Sequence, residues 1–216
     1  MTAINILVHG GGALMFTDAL TSHEGVITWI GNKAILYPHF CAAAAVTGTT
    51  ASAGIVQDYV GGGCTSYDGL VSTLEASVRL GLADYAETVQ RDGDAPFDVH
   101  TVGWSDETGG FRAWTLSYST GGAISVYESG PLVLQPGSPE VIAMLDQAGI
   151  NPDEILELHL PDAIETMGRI MGTQRRYARG RNHAVGGFQQ ATLLTKGAIV
   201  TRIVDLWSSD QVGGRT

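Results

Sequence analysis

A chain of 216 residues, 44% hydrophobic and only 16% charged, has material for a large core and is read as a single domain over residues 1–216. Its formal net charge of −10 excludes a general nucleic-acid surface, which needs clustered Lys and Arg. No apolar run approaches the ~18 residues of a membrane span, no basic stretch opens a secretory signal, and Cys41 and Cys64 share neither metal nor redox spacing. A cytoplasmic protein with no metal, no cofactor, no membrane partner and no nucleic-acid partner is expected.

Residues 3–9 predict a strand, Gly10-Gly11-Gly12 turns the chain, and residues 13–17 return as its hairpin partner. Residues 26–30 and 34–37 predict a second, shorter pair around Gly31-Asn32. Residues 41–47 read as a buried strand, with Cys41 as a small buried hydrophobe at its start. Thr49 or Thr50 caps a helix over 51–60, and a glycine break at 61–63 precedes helical periodicity over 67–91. Strand-like segments follow at 97–104, 111–118, 122–128 and 131–134. Ser138-Pro139-Glu140 opens a helix, a cap followed by Pro in the first turn. A longer helix covers 161–178, and strands at 185–195 and 198–206 flank the turn Lys196-Gly197.

The blocks therefore run strands, helices, strands, helices, strands. Two sheets that each carry helices on an outer face satisfy this order, an α+β four-layer α-β-β-α sandwich. Arg175, Arg176, Arg179 and Arg181 form a basic cluster in an acidic chain. It reads as a solvated helix end or a contact with an acidic neighbouring subunit. The six histidines are scattered without metal-ligand spacing, and no phosphate loop or nucleophile elbow occurs.

One constellation carries chemistry. Thr2 follows the initiator methionine, and Asp18, Lys33 and Gly48 each fall near the end of a short apolar segment. A threonine at a chain's own N-terminus brings a hydroxyl nucleophile and an α-amine base on one residue. These residues, with Thr17-Asp18-Ala19, Asn32-Lys33-Ala34-Ile35 and the segment Cys41 to Gly48, resemble the proteasome β subunit and its bacterial relatives among the N-terminal-nucleophile hydrolases. The resemblance extends to Glu128-Ser129-Gly130, where the family has an auxiliary serine, and to Asn182-His183-Ala184-Val185-Gly186-Gly187.

The resemblance implies the four-layer sandwich and a threonine peptidase or amidase acting on a peptide or amide substrate. Thr2 Oγ would attack, its α-amine would move the proton, and Lys33 would favour the deprotonated hydroxyl. Asp18 would hold Lys33, the N–H of Gly48 would receive the oxyanion, and Ser129 would assist. The family's habit of forming rings implies a homo-oligomer or larger assembly. Three positions depart from the pattern: Asn182 stands for an Asp, Val185 for a Ser, and Ala19 for a residue that is commonly basic. A non-catalytic subunit with a structural role in a larger particle, for example of a phage or prophage, is the alternative.

Overall fold

The structure, a computed structural model, describes residues 2–179 and 185–215. The strands are β1 (Ile4–His9), β2 (Gly12–Asp18), β3 (Leu20–His23), β4 (Val26–Ile30), β5 (Ile35–Tyr37) and β6 (Ala42–Thr47). Helices α1 (Thr50–Tyr59), α2 (Tyr67–Asp84) and α3 (Ala86–Arg91) follow. Next come β7 (Phe97–Ser105), β8 (Gly110–Tyr118), β9 (Ile124–Ser129) and β10 (Leu132–Gln135). The chain ends with α4 (Pro139–Gln147), α5 (Leu160–Arg179), β11 (Phe188–Thr195) and β12 (Ala198–Leu206).

The chain divides into two compact units. The first comprises 1–34, 131–193 and 200–216; the second comprises 35–130 and 194–199. The first is built on an antiparallel hairpin, in register from Ile4↔Thr17 to His9↔Gly12. Its five-stranded sheet has the order β10-β1-β2-β11-β12. One face, including Leu7, Leu14 and Phe16, packs on Val141 and Leu145 of α4 and on Ala163, Met167, Ile170 and Met171 of α5. These α5 positions follow the three- and four-residue spacing of a buried stripe. A reciprocal amide pair crosses the layer. Asn5 Nδ2 donates to Gln174 Oε1 at 2.8 Å, and Gln174 Nε2 donates to Asn5 Oδ1 at 2.8 Å. Both polar groups are thereby satisfied inside an apolar layer.

The second unit carries the sheet β5-β6-β7-β8-β9, all neighbours antiparallel. One face packs on Ile55 and Val56 of α1 and on Tyr67, Leu70, Leu74 and Val78 of α2. Thr49 and Ser66 cap the two helices, accepting from Ser52 N at 3.4 Å and Gly69 N at 3.0 Å. Gly103 lets α2 approach the sheet. A Cβ there would lie 2.5 Å from the Tyr67 ring and 2.7 Å from Ala42 Cβ. Gly103→Ala is therefore expected to destabilise by about 2 kcal/mol through overpacking. A lower urea midpoint with unchanged slope would show it.

Most expected elements form, and the differences have physical causes. The segments 26–30 and 34–37 do not pair with each other. β4 pairs with β3, an unexpected strand, and β5 pairs with β6. Glu24 (φ 50) and Gly25 (φ 75) make a two-residue turn with both φ positive, which matches strand twist. Gly31 N then donates to Ala19 O at 2.9 Å and holds the end of β4 back against the start of β3. Cys41 does not open the strand as a buried hydrophobe. It is half-buried at φ 50, ending a short 3-10 turn over Pro38–Phe40, and β6 starts at Ala42. The helix over 67–91 is divided at Tyr85, whose ring lies against Gly54 of α1.

The architecture also differs from expectation. The chain is a mixed α+β fold made mainly of antiparallel sheet with few helices, not a clear four-layer α-β-β-α sandwich. The order of strand and helix blocks dictates which helices cover each sheet. It does not dictate how many layers stack, and each sheet closes its own apolar core against its own helices. No helix among the described residues is long and apolar enough to cross a membrane.

Candidate active site

The β1–β2 register brings Asp18 beside the start of the chain. Asp18 N donates to Ala3 O at 3.1 Å, and Ala3 N donates to Asp18 Oδ1 at 2.9 Å. Asp18 is fully buried, so its charge requires partners. Oδ2 accepts from Leu20 N at 3.2 Å and from Gly186 N at 3.1 Å. Oδ1 also pairs with Lys33 Nζ at 2.9 Å. Lys33 sits in the loop after β4, where Ala34 N donates to Asn32 Oδ1 at 2.8 Å and tightens the turn.

An ammonium group has three N–H bonds, and each here finds one acceptor. Lys33 Nζ donates to Asp18 Oδ1 at 2.9 Å, to Leu20 O at 2.6 Å and to Thr2 Oγ1 at 3.3 Å. Thr2 is itself only 8% exposed. The lysine thus meets a lone pair of the threonine oxygen and leaves the hydroxyl proton to be taken elsewhere. A fixed cation at this oxygen favours negative charge on it. It is poorly placed to be the base, since a protonated amine has no lone pair to offer.

A second ion pair, missed from sequence, supports this site. Arg175 Nη1 and Nη2 reach Asp210 Oδ2 and Oδ1 at 2.5 and 2.8 Å, and the guanidinium lies 4.2 Å from the Trp207 ring centroid. Asp210 Oδ2 also accepts from Gly187 N at 2.7 Å. Gly187 neighbours Gly186, whose N–H reaches Asp18. Arg175 is 7% exposed and bidentate, so it is not a solvated helix end. A signal existed: Arg175 is four residues beyond Met171, on the stripe that α5 buries.

Gly48 and Ser129 belong to the second unit. Gly48, at φ 135, immediately precedes the Thr49 cap of α1, and a Cβ on it would lie 2.6 Å from Phe97 Cβ. Ser129 Oγ lies 2.7 Å from Thr115 Oγ1, which lies 3.0 Å from His100 Nδ1. Val185 is buried in the apolar layer of the first unit. Met1, Arg181, Asn182 and His183 lie outside the described residues, as does the side chain of Arg179. No group of three His, Cys, Asp or Glu side chains among the described residues could hold a metal ion.

His100 is buried, and its Nε2 has no partner among the described residues. Burial pushes its imidazole down to about 4, with Asp98 pulling weakly the other way. The unfolded chain takes up this proton near pH ~6.5 and the folded chain only near the lower value. The stability due to neutral His100 is therefore full above pH ~6.5 and is lost as pH falls from there toward 4. A His100→Gln chain is expected to lose about 2 kcal/mol less stability than wild type between pH 6.5 and 4.5. Urea unfolding at a series of pH values measures the difference.

No family model and no curated protein matches the chain. Solved structures do. A mutant of Anbu from Hyphomicrobium sp. strain MC1 aligns at 12% identity over 95% of this chain and 87% of its own, with a TM-score of 0.68. Anbu from Yersinia bercovieri, described as an ancestral beta-subunit, aligns at 12% identity over 94% and 87%, also with a TM-score of 0.68. At this identity the likeness is one of fold alone, the proteasome β-subunit-like fold of these Anbu structures.

Proposed function

We propose that this chain is an N-terminal-nucleophile amidohydrolase that uses Thr2 after removal of Met1. The reading rests chiefly on Lys33 Nζ, held 2.9 Å from Asp18 Oδ1 and 3.3 Å from Thr2 Oγ1. Thr2 Oγ attacks the carbonyl carbon of a peptide or amide, and the α-amine of Thr2 accepts the hydroxyl proton. The C–N bond breaks and that proton passes to the leaving amine. Water then hydrolyses the ester and restores Thr2. Lys33 stabilises charge on the attacking oxygen, and Asp18 keeps Lys33 in place. The proteasome-like fold of the solved neighbours also supports a self-assembling oligomer.

N-terminal sequencing with intact mass tests this reading. The expected chain begins at Thr2 and hydrolyses amides. A chain that hydrolyses amides with Met1 still attached would sink the mechanism. One observation favours a second reading. Val185 lies in an apolar layer where the resemblance calls for a serine hydroxyl. A non-catalytic assembly subunit would keep the Lys33–Asp18 pair as structure, and Thr2→Ala would then change no function.

A further inference from the structure

A groove of about 840 Å³ runs between α5 and β12 within the first unit, and Thr2, Asp18 and Lys33 do not line it. Its floor is set by small residues of α5. A Cβ at Gly172 would meet nothing within 4 Å, so the helix leaves open space there. Arg169, Arg176 and Arg202 line it, and no carboxylate among the described residues forms a salt bridge with any of them. Arg175, also lining it, is neutralised by Asp210. Against these stand Glu165 and Asp205, so the wall is net positive in a chain of formal charge −10.

The groove runs beside an open sheet edge. β12 is terminal in its sheet and nine residues long. Long exposed edges are normally shortened, bulged or covered, because their free backbone groups recruit another strand. This edge instead exposes apolar side chains: Val200 is 55% exposed and Leu206 65%. Strand alternation puts Val200, Arg202, Val204 and Leu206 on one face, and Arg202 and Val204 line the groove.

We infer that this edge and groove bind an extended acidic polypeptide segment, which pairs its backbone with β12 and sets alternate carboxylate side chains against Arg169, Arg176 and Arg202. Backbone pairing supplies affinity, and the arginines select for negative charge. The proposal does not depend on Thr2 chemistry, and its outcome leaves that reading untouched.

The probe is a fluorescein-labelled twelve-residue peptide of alternating Glu and Val, followed by fluorescence anisotropy in near-physiological salt. Saturable binding is expected. Gly172→Leu, which fills the floor without changing charge, should weaken it at least tenfold, about 1.4 kcal/mol. Arg202→Glu should do the same and guards against a folding defect in the first variant; melting curves establish that each variant is folded. A peptide with Lys in place of Glu should not bind. A Glu-Val peptide with proline at alternate Val positions, which cannot donate to the edge, should bind at least tenfold more weakly. Absence of saturable binding, equal binding of the Lys or proline peptide, or wild-type binding by folded Gly172→Leu and Arg202→Glu would each overturn the proposal.

Discussion

Replacing Thr2 by alanine is expected to lower amide hydrolysis by at least about 10³-fold while leaving the fold intact. Losses of this size follow removal of an attacking nucleophile whose partners cannot substitute for it. Here Lys33 would remain paired with Asp18 Oδ1 and Leu20 O, so only one of its three hydrogen bonds is lost. The methyl of Thr2 is not needed for attack, so Thr2→Ser should retain most of the rate. Steady-state hydrolysis of a fluorogenic amide, beside melting curves for each variant, separates chemistry from stability. If Thr2→Ala hydrolyses as fast as wild type, the nucleophile lies elsewhere.

Asp18→Ala is expected to be the most damaging single change to the first unit. It would leave the largely enclosed Lys33, its side chain 11% exposed, without its carboxylate and would orphan the N–H groups of Ala3, Leu20 and Gly186. Breaking a buried ion pair from one side costs about 3–5 kcal/mol. For a chain of this size that corresponds to a fall of about 10 °C in Tm. Asp18→Asn should recover only part of this, because its amide NH₂ would face either Lys33 and Ala3 N or Leu20 N and Gly186 N. The Asp18→Ala, Lys33→Met double variant should melt above Asp18→Ala alone, since no unpaired buried charge remains. Equal melting of the two would show that the cost is not electrostatic.

The core of the site was legible because it depends on short-range order. A tight hairpin after residue 9 sets Asp18 next to the chain start. The Asn32-Lys33 turn then returns a cation to that spot. Helix starts were legible for the same reason: Ser138-Pro139 announces α4, and its Ser138 Oγ accepts from Val141 N at 3.4 Å. Other features depend on long-range geometry that no local spacing encodes. Arg175 and Asp210 are 35 positions apart, and only the fold shows them as one bidentate pair. β3 was missed because Thr21, Ser22 and His23 lack an apolar alternation, and its turn uses Glu24-Gly25 rather than Asn-Gly. The number of layers was misread because block order constrains coverage, not stacking. The local backbone of Gly48 and Ser129 is described, and both belong to the second unit.

In the proposed mechanism Thr2 Oγ is a nucleophile activated by its own amine and by Lys33. Its most direct test is acylation by an activated β-lactone, followed by intact mass and mapping of the N-terminal peptide. One adduct per chain on a Thr2 that begins the polypeptide, absent from Thr2→Ala and slowed in Lys33→Met, is the predicted result. A chain that carries no adduct on Thr2, or carries it elsewhere while hydrolysing amides, would rule this mechanism out.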